Sequence, residues 1–121
     1  MLPNVALNLG GDGLAREEAL VREVIREYWE GFNSYDQERV LALLTPEYLQ
    51  VRSARIISDI GRLKLFWVKL RWQEEGPPTL RADGTTQVFI QVTEPLGTRR
   101  VQMDFVKWDE GWKLTYVEEV K

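Results

Sequence analysis

Histidine and cysteine are both absent from this chain of 121 residues. No disulfide, thiol nucleophile or thiolate metal site can form, and the usual general base and histidine-ligated metals are missing too. Catalysis or binding must come from carboxylates, arginines, tyrosines and tryptophans. The basic residues Arg52, Arg55, Arg62, Lys64, Lys69 and Arg71 follow one another along the chain. They read as a solvated face rather than a phosphate site, and Arg99-Arg100 at a hairpin start reads the same way. Glu74-Glu75 and Glu118-Glu119 are adjacent pairs at strand ends, where neighbouring side chains point apart, so neither forms a carboxylate cluster. Gly10-Gly11-Asp12-Gly13 precedes a helix with no strand before it, which is not the setting of a phosphate loop. No metal site and no cofactor are expected. Tyr28 sits on an apolar helical stripe, where a phenol is normally core with its hydroxyl bonded nearby.

The elements that must carry these residues change character midway. Val21, Val24, Ile25, Tyr28, Trp29 and Phe32 recur at helical steps, so a first helix is expected from about Asp12 or Gly13. Glu17 and Glu18 stand in its first turn, where carboxylates favour the positive helix end. Gly31 and Asn33-Ser34 loosen it. A second helix follows, capped by Ser34 with Gln37 as a capping box, or by Asp36. Thr45-Pro46 opens a short third turn, and Ser53 to Ile60 reads as a last short helix closed by Gly61. Beyond Gly61 the period becomes two. Phe66, Val68, Leu70 and Trp72 alternate with Leu65, Trp67, Lys69 and Arg71, which predicts a strand across Leu63–Gln73. The rival is a helix, since Ile56, Ile60, Leu63, Trp67 and Leu70 also fit one. Asp83-Gly84 marks a hairpin. Turns at Pro95–Gly97 and Asp109–Gly111 separate the later strands. The fold class is α+β, with N-terminal helices packed on a strongly curved antiparallel sheet of about four to six strands.

One domain is the default at this length. Residues 1–13 read as a loose tail and 14–121 as the domain. Hydrophobic residues make up 44% and charged residues 29%, with net charge −3, a balance that argues against a nucleic-acid partner. No apolar run is long enough to span a bilayer. The opening residues lack a basic start and are not a signal peptide as written. The compartment stays open: cytoplasmic by default, with an export signal or anchor upstream as the alternative. Trp67, Phe89 and Trp108 would leave an apolar patch on the outer sheet face, which a second copy packed sheet against sheet would cover.

Three segments together resemble the nuclear transport factor two-like superfamily, the cone-shaped cystatin-like fold shared by ketosteroid isomerase and SnoaL-like proteins. They are REYWEGFNSYDQERVLALLTPEYL (Arg26 to Leu49), the hairpin after Gly84, and MDFVKWDEGWKLTYVEE (Met103 to Glu119). The resemblance implies a bent sheet wrapped on a long helix with a cavity between them. In the isomerase branch it implies a Tyr donor at Tyr28, an acid donor at Asp104 and a carboxylate base at the position of Arg52. Arginine stays protonated and cannot be that base; Glu47 or Asp59 would have to replace it. The alternation of Val101, Met103 and Phe105 turns Asp104 to the outer face, whereas the resemblance puts it in the pocket. The two agree only if a bulge intervenes, and the periodicity is the preferred reading.

Three functions follow as expectations. The first is a non-catalytic domain that binds a hydrophobic small molecule or a partner protein, with Tyr28, Phe32, Arg52, Trp67 and Asp104 as ligand-binding candidates. The second is an acid–base isomerase or hydrolase acting on a hydrophobic small molecule, with Tyr28 and Asp104 as donors that converge on one cavity. The third is the exported domain of an anchored bacterial protein.

Overall fold

A computed structural model describes residues 11–121, with side chains from residue 13 onward. Most of the expected tail lies outside the described residues. Helix α1 spans Gly11–Asn33. Its buried positions, Val21, Ile25, Tyr28, Trp29 and Phe32, form the one-sided stripe that the helical spacing requires. Gly31 does not end the helix. It lets the next helix approach, because a Cβ there would sit 2.6 Å from Val40 Cγ2. Ser34 bonds back to the Glu30 carbonyl at 2.8 Å, so the cap of α2 (Gln37–Leu41) is Asp36, which accepts from the Arg39 amide.

The first correction lies in the next segment. Helix α3 is a single element of 20 residues, Pro46–Leu65, capped by Thr45 with proline in its first turn. It runs through Gly61 and absorbs both short pieces expected from the sequence. Ile56, Ile60 and Leu63 are all buried on one face. A glycine within a helix costs about 1 kcal/mol, less than the roughly 1.5–3 kcal/mol that burying Leu63 returns. The strand expected across Leu63–Gln73 is therefore mostly absent. Leu65, Phe66 and Trp67 are exposed, and Trp67 turns the chain with a left-handed φ of 55°. The alternation at 66–70 is not that of a pleated segment. Side chains of the α1 exit hold it instead. Asn33 donates to the Leu70 carbonyl at 2.9 Å and accepts from the Leu70 amide at 2.7 Å, and the Tyr35 hydroxyl donates to the Val68 carbonyl at 2.8 Å.

The sheet has five antiparallel strands: β1 (Arg71–Glu74), β2 (Thr79–Leu80), β3 (Thr86–Glu94), β4 (Gly97–Trp108) and β5 (Gly111–Glu119). Their order is β1-β3-β4-β5, with β2 also paired to β3. The hairpin at Asp83-Gly84 forms as expected, Gly84 supplying a φ of 88° that other residues avoid. The inner face carries Val88, Ile90, Val92, Val101, Met103, Phe105, Leu114 and Val117 into one core with the helices. A register shift follows Asp104↔Tyr116, because Phe105 pairs with Leu114 and Thr115 is the extra residue. Such a bulge bends the strand pair and increases its twist. The free edge of β5 is covered rather than bare. Thr45 donates to the Leu114 carbonyl at 2.9 Å, Leu114 donates to the Leu43 carbonyl at 2.8 Å, and the Tyr48 hydroxyl bonds both backbone groups of Val117. Edge groups that would otherwise lack partners are satisfied this way.

The outer face differs from the expected bare apolar patch. Trp67 is not on the sheet, and Phe89 lies beneath the Arg100 guanidinium, 3.9 Å from its ring centroid. Trp108 is exposed at the end of β4. No described helix is long and apolar enough to cross a membrane.

Candidate functional site

A cavity of about 370 Å³ opens where the C-terminal half of α1 meets α3 and the ends of β4 and β5. Helix α1 backs it with three buried aromatic rings. Tyr28 and Trp29 meet edge to face with centroids 4.8 Å apart, and Phe32 lies 5.0 Å from Tyr28 and 5.7 Å from Trp29. Helix α3 contributes Arg52, Arg55, Asp59 and Arg62. Their spacing of three, four and three places them on one helical side. The strands add Arg99, Val101, Val117, Glu118 and Glu119, and Lys121 follows them. Cations outnumber carboxylates around this cavity, although the whole chain is acidic.

Most of the charges are tied to one another. Arg52 Nη1 donates to Glu118 at 2.8 Å. Asp59 sits between Arg62 at 3.3 Å and Arg55 at 3.8 Å, and Arg99 pairs with Glu94. Two buried donors are not satisfied. Arg52 Nε and Trp29 Nε1 have no hydrogen-bond partner among the described residues. Leaving a buried donor unpaired costs about 1–3 kcal/mol, so a fold normally completes such groups with protein, water or ligand. Burial pushes the Tyr28 phenol well above the ordinary tyrosine range; Tyr48 adds to the shift and Arg52 opposes it. Tyr28 is thus a neutral hydroxyl at physiological pH.

Of the sequence candidates, Tyr28, Phe32 and Arg52 come together on this cavity. Trp67 and Asp104 do not join them. Trp67 is exposed beyond α3, edge-on to Tyr35. Asp104 is buried, yet on the other side of the sheet. It accepts from Arg81 Nη2 at 2.9 Å and from Gln102 at 3.1 Å. The bulge is real, but its extra residue is Thr115 on β5, so β4 keeps its alternation through Asp104. The donor pair expected for acid–base chemistry therefore stands on opposite faces. Of the two substitute bases, Asp59 lines the cavity between its arginines and Glu47 does not.

Sequence reasoning missed Trp29, Arg55, Arg62 and Arg99 as lining residues. The signal for α3 was present in the spacing of Arg52, Arg55, Asp59 and Arg62. It becomes legible only when the helix runs unbroken through Gly61. The described residues contain no group of three or more acidic side chains able to hold a metal ion.

A second cavity, about 350 Å³, lies at the other end of α1. Leu14, Val21, Pro78, Leu80 and Trp112 make it mainly apolar. Its polar groups are paired: Glu17 Oε1 accepts from Trp112 Nε1 at 3.1 Å and from Lys107 Nζ.

No protein-family model matches the chain, and no curated protein matches it. Among solved structures it is similar to a protein of unknown function with a cystatin-like fold from Methylobium petroleophilum PM1. The TM-score is 0.57 and the identity 12%, over 85% of this chain and 76% of that one. A likeness at that identity speaks to fold alone: three helices followed by a five-stranded antiparallel sheet, the α+β architecture of cystatin-like proteins.

Proposed function

We propose that this chain is a nuclear transport factor two-like domain that binds a small molecule in the cavity between α1, α3 and the sheet without turning it over. One observation carries the reading. A recess of about 370 Å³ opens between α1, α3 and the sheet, lined by Tyr28, Phe32 and Arg52 and by more cationic than acidic side chains. A pocket of a few hundred Å³ with convergent polar groups suits a small-molecule ligand. The non-catalytic half rests on arginine at the position where the resemblance expects a base, and on the separation of Tyr28 from Asp104. The outer sheet face, with Phe89, Trp108 and Tyr116, is the seat proposed for a second copy. Light scattering at increasing protein concentration tests that part, and a monomer throughout removes it.

The ligand reading is tested by titrating the ¹⁵N-labelled chain with a panel of neutral and acidic one- to two-ring compounds. The expected result is at least one binder whose shift changes centre on Tyr28, Phe32, Arg52, Val101 and Val117. A ligand at a hundredfold its Kd should also add about 2.7 kcal/mol to unfolding stability. If no compound binds, or if every binder maps elsewhere, the reading is wrong.

A further inference from the structure

We infer that the end of α3 and the neighbouring β3–β4 turn form a docking surface for an anionic membrane. Phe66, Trp67 and Leu96 enter the headgroup boundary, and Lys64, Lys69 and Arg71 meet the lipid anions. The surface is separate from the question of what the cavity holds.

The apolar side chains here are in water. Leu65, Phe66 and Trp67 are 72, 68 and 75% exposed, and Leu96 is fully exposed. Large apolar residues gathered in this way, with a polar rim, mark an interaction site rather than ordinary scattered surface. They belong to one region. Phe66, Val68, Pro95 and Leu96 line a shared hollow of about 300 Å³. Arg71 pairs in register with Thr93, so β1 begins beside the same turn.

The backbone is strained where the indole projects. Helix α3 closes with the Trp67 amide donating to the Lys64 carbonyl at 3.2 Å and the Val68 amide to the Leu63 carbonyl at 2.9 Å. This closure sets Trp67 in the left-handed region, with φ of 55°, at a position that glycine normally fills. A bulky residue there is a conformational outlier. The fold accepts that cost and buries only about a quarter of the residue in return. Strain held at an exposed site without a packing gain points to a task outside folding.

Charge selects the partner. The whole chain carries −3, yet between Asp59 and Glu74 it has four cations, Arg62, Lys64, Lys69 and Arg71, and no carboxylate. Lys64, Lys69 and Arg71 are exposed and enter no ion pair among the described residues. The nearby acids are already held: Asp59 by Arg55 and Arg62, Glu94 by Arg99, and Glu74 by Arg22. A bilayer surface with anionic lipids attracts such a basic set. An indole also favours the boundary where one end is apolar and the other wet. The anchors sit on a helix end and a hairpin tip. A fluid bilayer admits projecting side chains without a preformed socket, whereas a protein partner must supply a matching hollow.

The experiment mixes the full chain with vesicles of phosphatidylcholine alone, or with about one-third phosphatidylserine, and reads the bound fraction by co-sedimentation. Binding to the mixed vesicles should be at least tenfold tighter and should weaken as salt rises. Trp67→Gly removes the indole and relieves the left-handed strain. That variant should unfold no more easily than the parent, yet bind at least fivefold more weakly. Leu96→Ser, at a fully exposed turn residue, should weaken binding with no change in the fold. Lys64→Gln combined with Arg71→Gln should cut the preference for phosphatidylserine. Val51→Ser, at an exposed residue near the start of the same helix, should bind as the parent does. Equal binding to both vesicles, or binding to neither, overturns the proposal. So does unchanged affinity in folded Trp67→Gly and Leu96→Ser. A dimer that these two variants dissociate, with no vesicle binding by the parent, assigns the patch to a second copy and overturns the membrane.

Discussion

Trp112 and Trp29 each line a cavity beside α1, at opposite ends of the helix, and their indole nitrogens are treated differently. Trp112 Nε1 donates to Glu17, which also takes Lys107. Trp29 Nε1 donates to nothing among the described residues. Both side chains are largely buried, so burial does not separate them. The apolar cavity near the start of α1 is complete within the chain. Beside the charged cavity near its end, Trp29 Nε1 and Arg52 Nε have no partner among the described residues.

Conservative substitution should break this contrast most visibly. Trp112→Phe removes a hydrogen bond to a charged acceptor, so it should lose about 1.5–3 kcal/mol beyond the cost of the smaller ring. Trp29→Phe deletes an unsatisfied donor, and its loss should be smaller by a similar amount. Urea unfolding of both variants measures the difference, and equal losses would mean that Trp29 is satisfied in solution.

Alkaline pH sharpens the same contrast. Burial raises the folded-state pKa of Tyr28 above its unfolded value. The stabilisation is then fully present below about pH 10 and is lost above it, by up to about 1.4 kcal/mol per pH unit, as the unfolded phenol ionises first. Tyr28→Phe should flatten the fall in stability between pH 10 and 11.5 relative to the parent chain. Parallel slopes would show that the phenol is not sequestered.

The smallest effect tests the wall that carries Arg52. Nothing lies within 4 Å of a Cβ built on Gly61, and the residue is helical. Gly61→Ala should therefore stabilise the chain by about 0.5–1 kcal/mol. A loss would mean that α3 breaks there, and that Arg62 leaves the side it shares with Arg52.

These expectations also mark where sequence reading stopped. The apolar stripe of α1, the three hairpin turns and the alternation of β3 and β4 were legible, because each depends on neighbours a few residues apart; in β5 the period of two that groups Tyr116 with Trp112 and Leu114 fails, since the extra residue Thr115 turns Tyr116 outward and Val117 inward. The side of β4 on which Asp104 falls was legible for the same reason, since the period of two persists through it. Leu63 to Leu70 was not. Its residues fit both periods and neither holds throughout: the helix continues to Leu65 because Ile56, Ile60 and Leu63 find one core together, and Asn33 and Tyr35 secure the irregular backbone of 66–70 that follows.

By itself the sequence determined the α+β class, the loss of histidine and thiol chemistry, and the presence of arginine where a base was sought. Those properties are local or compositional. Only the tertiary structure decided that Tyr28, Trp29 and Arg52 share a cavity while Asp104 faces away, and that one indole is answered by Glu17 and the other by nothing. Partners brought together from distant parts of the chain depend on where a helix stops and where a bulge falls, and no short-range pattern encodes either.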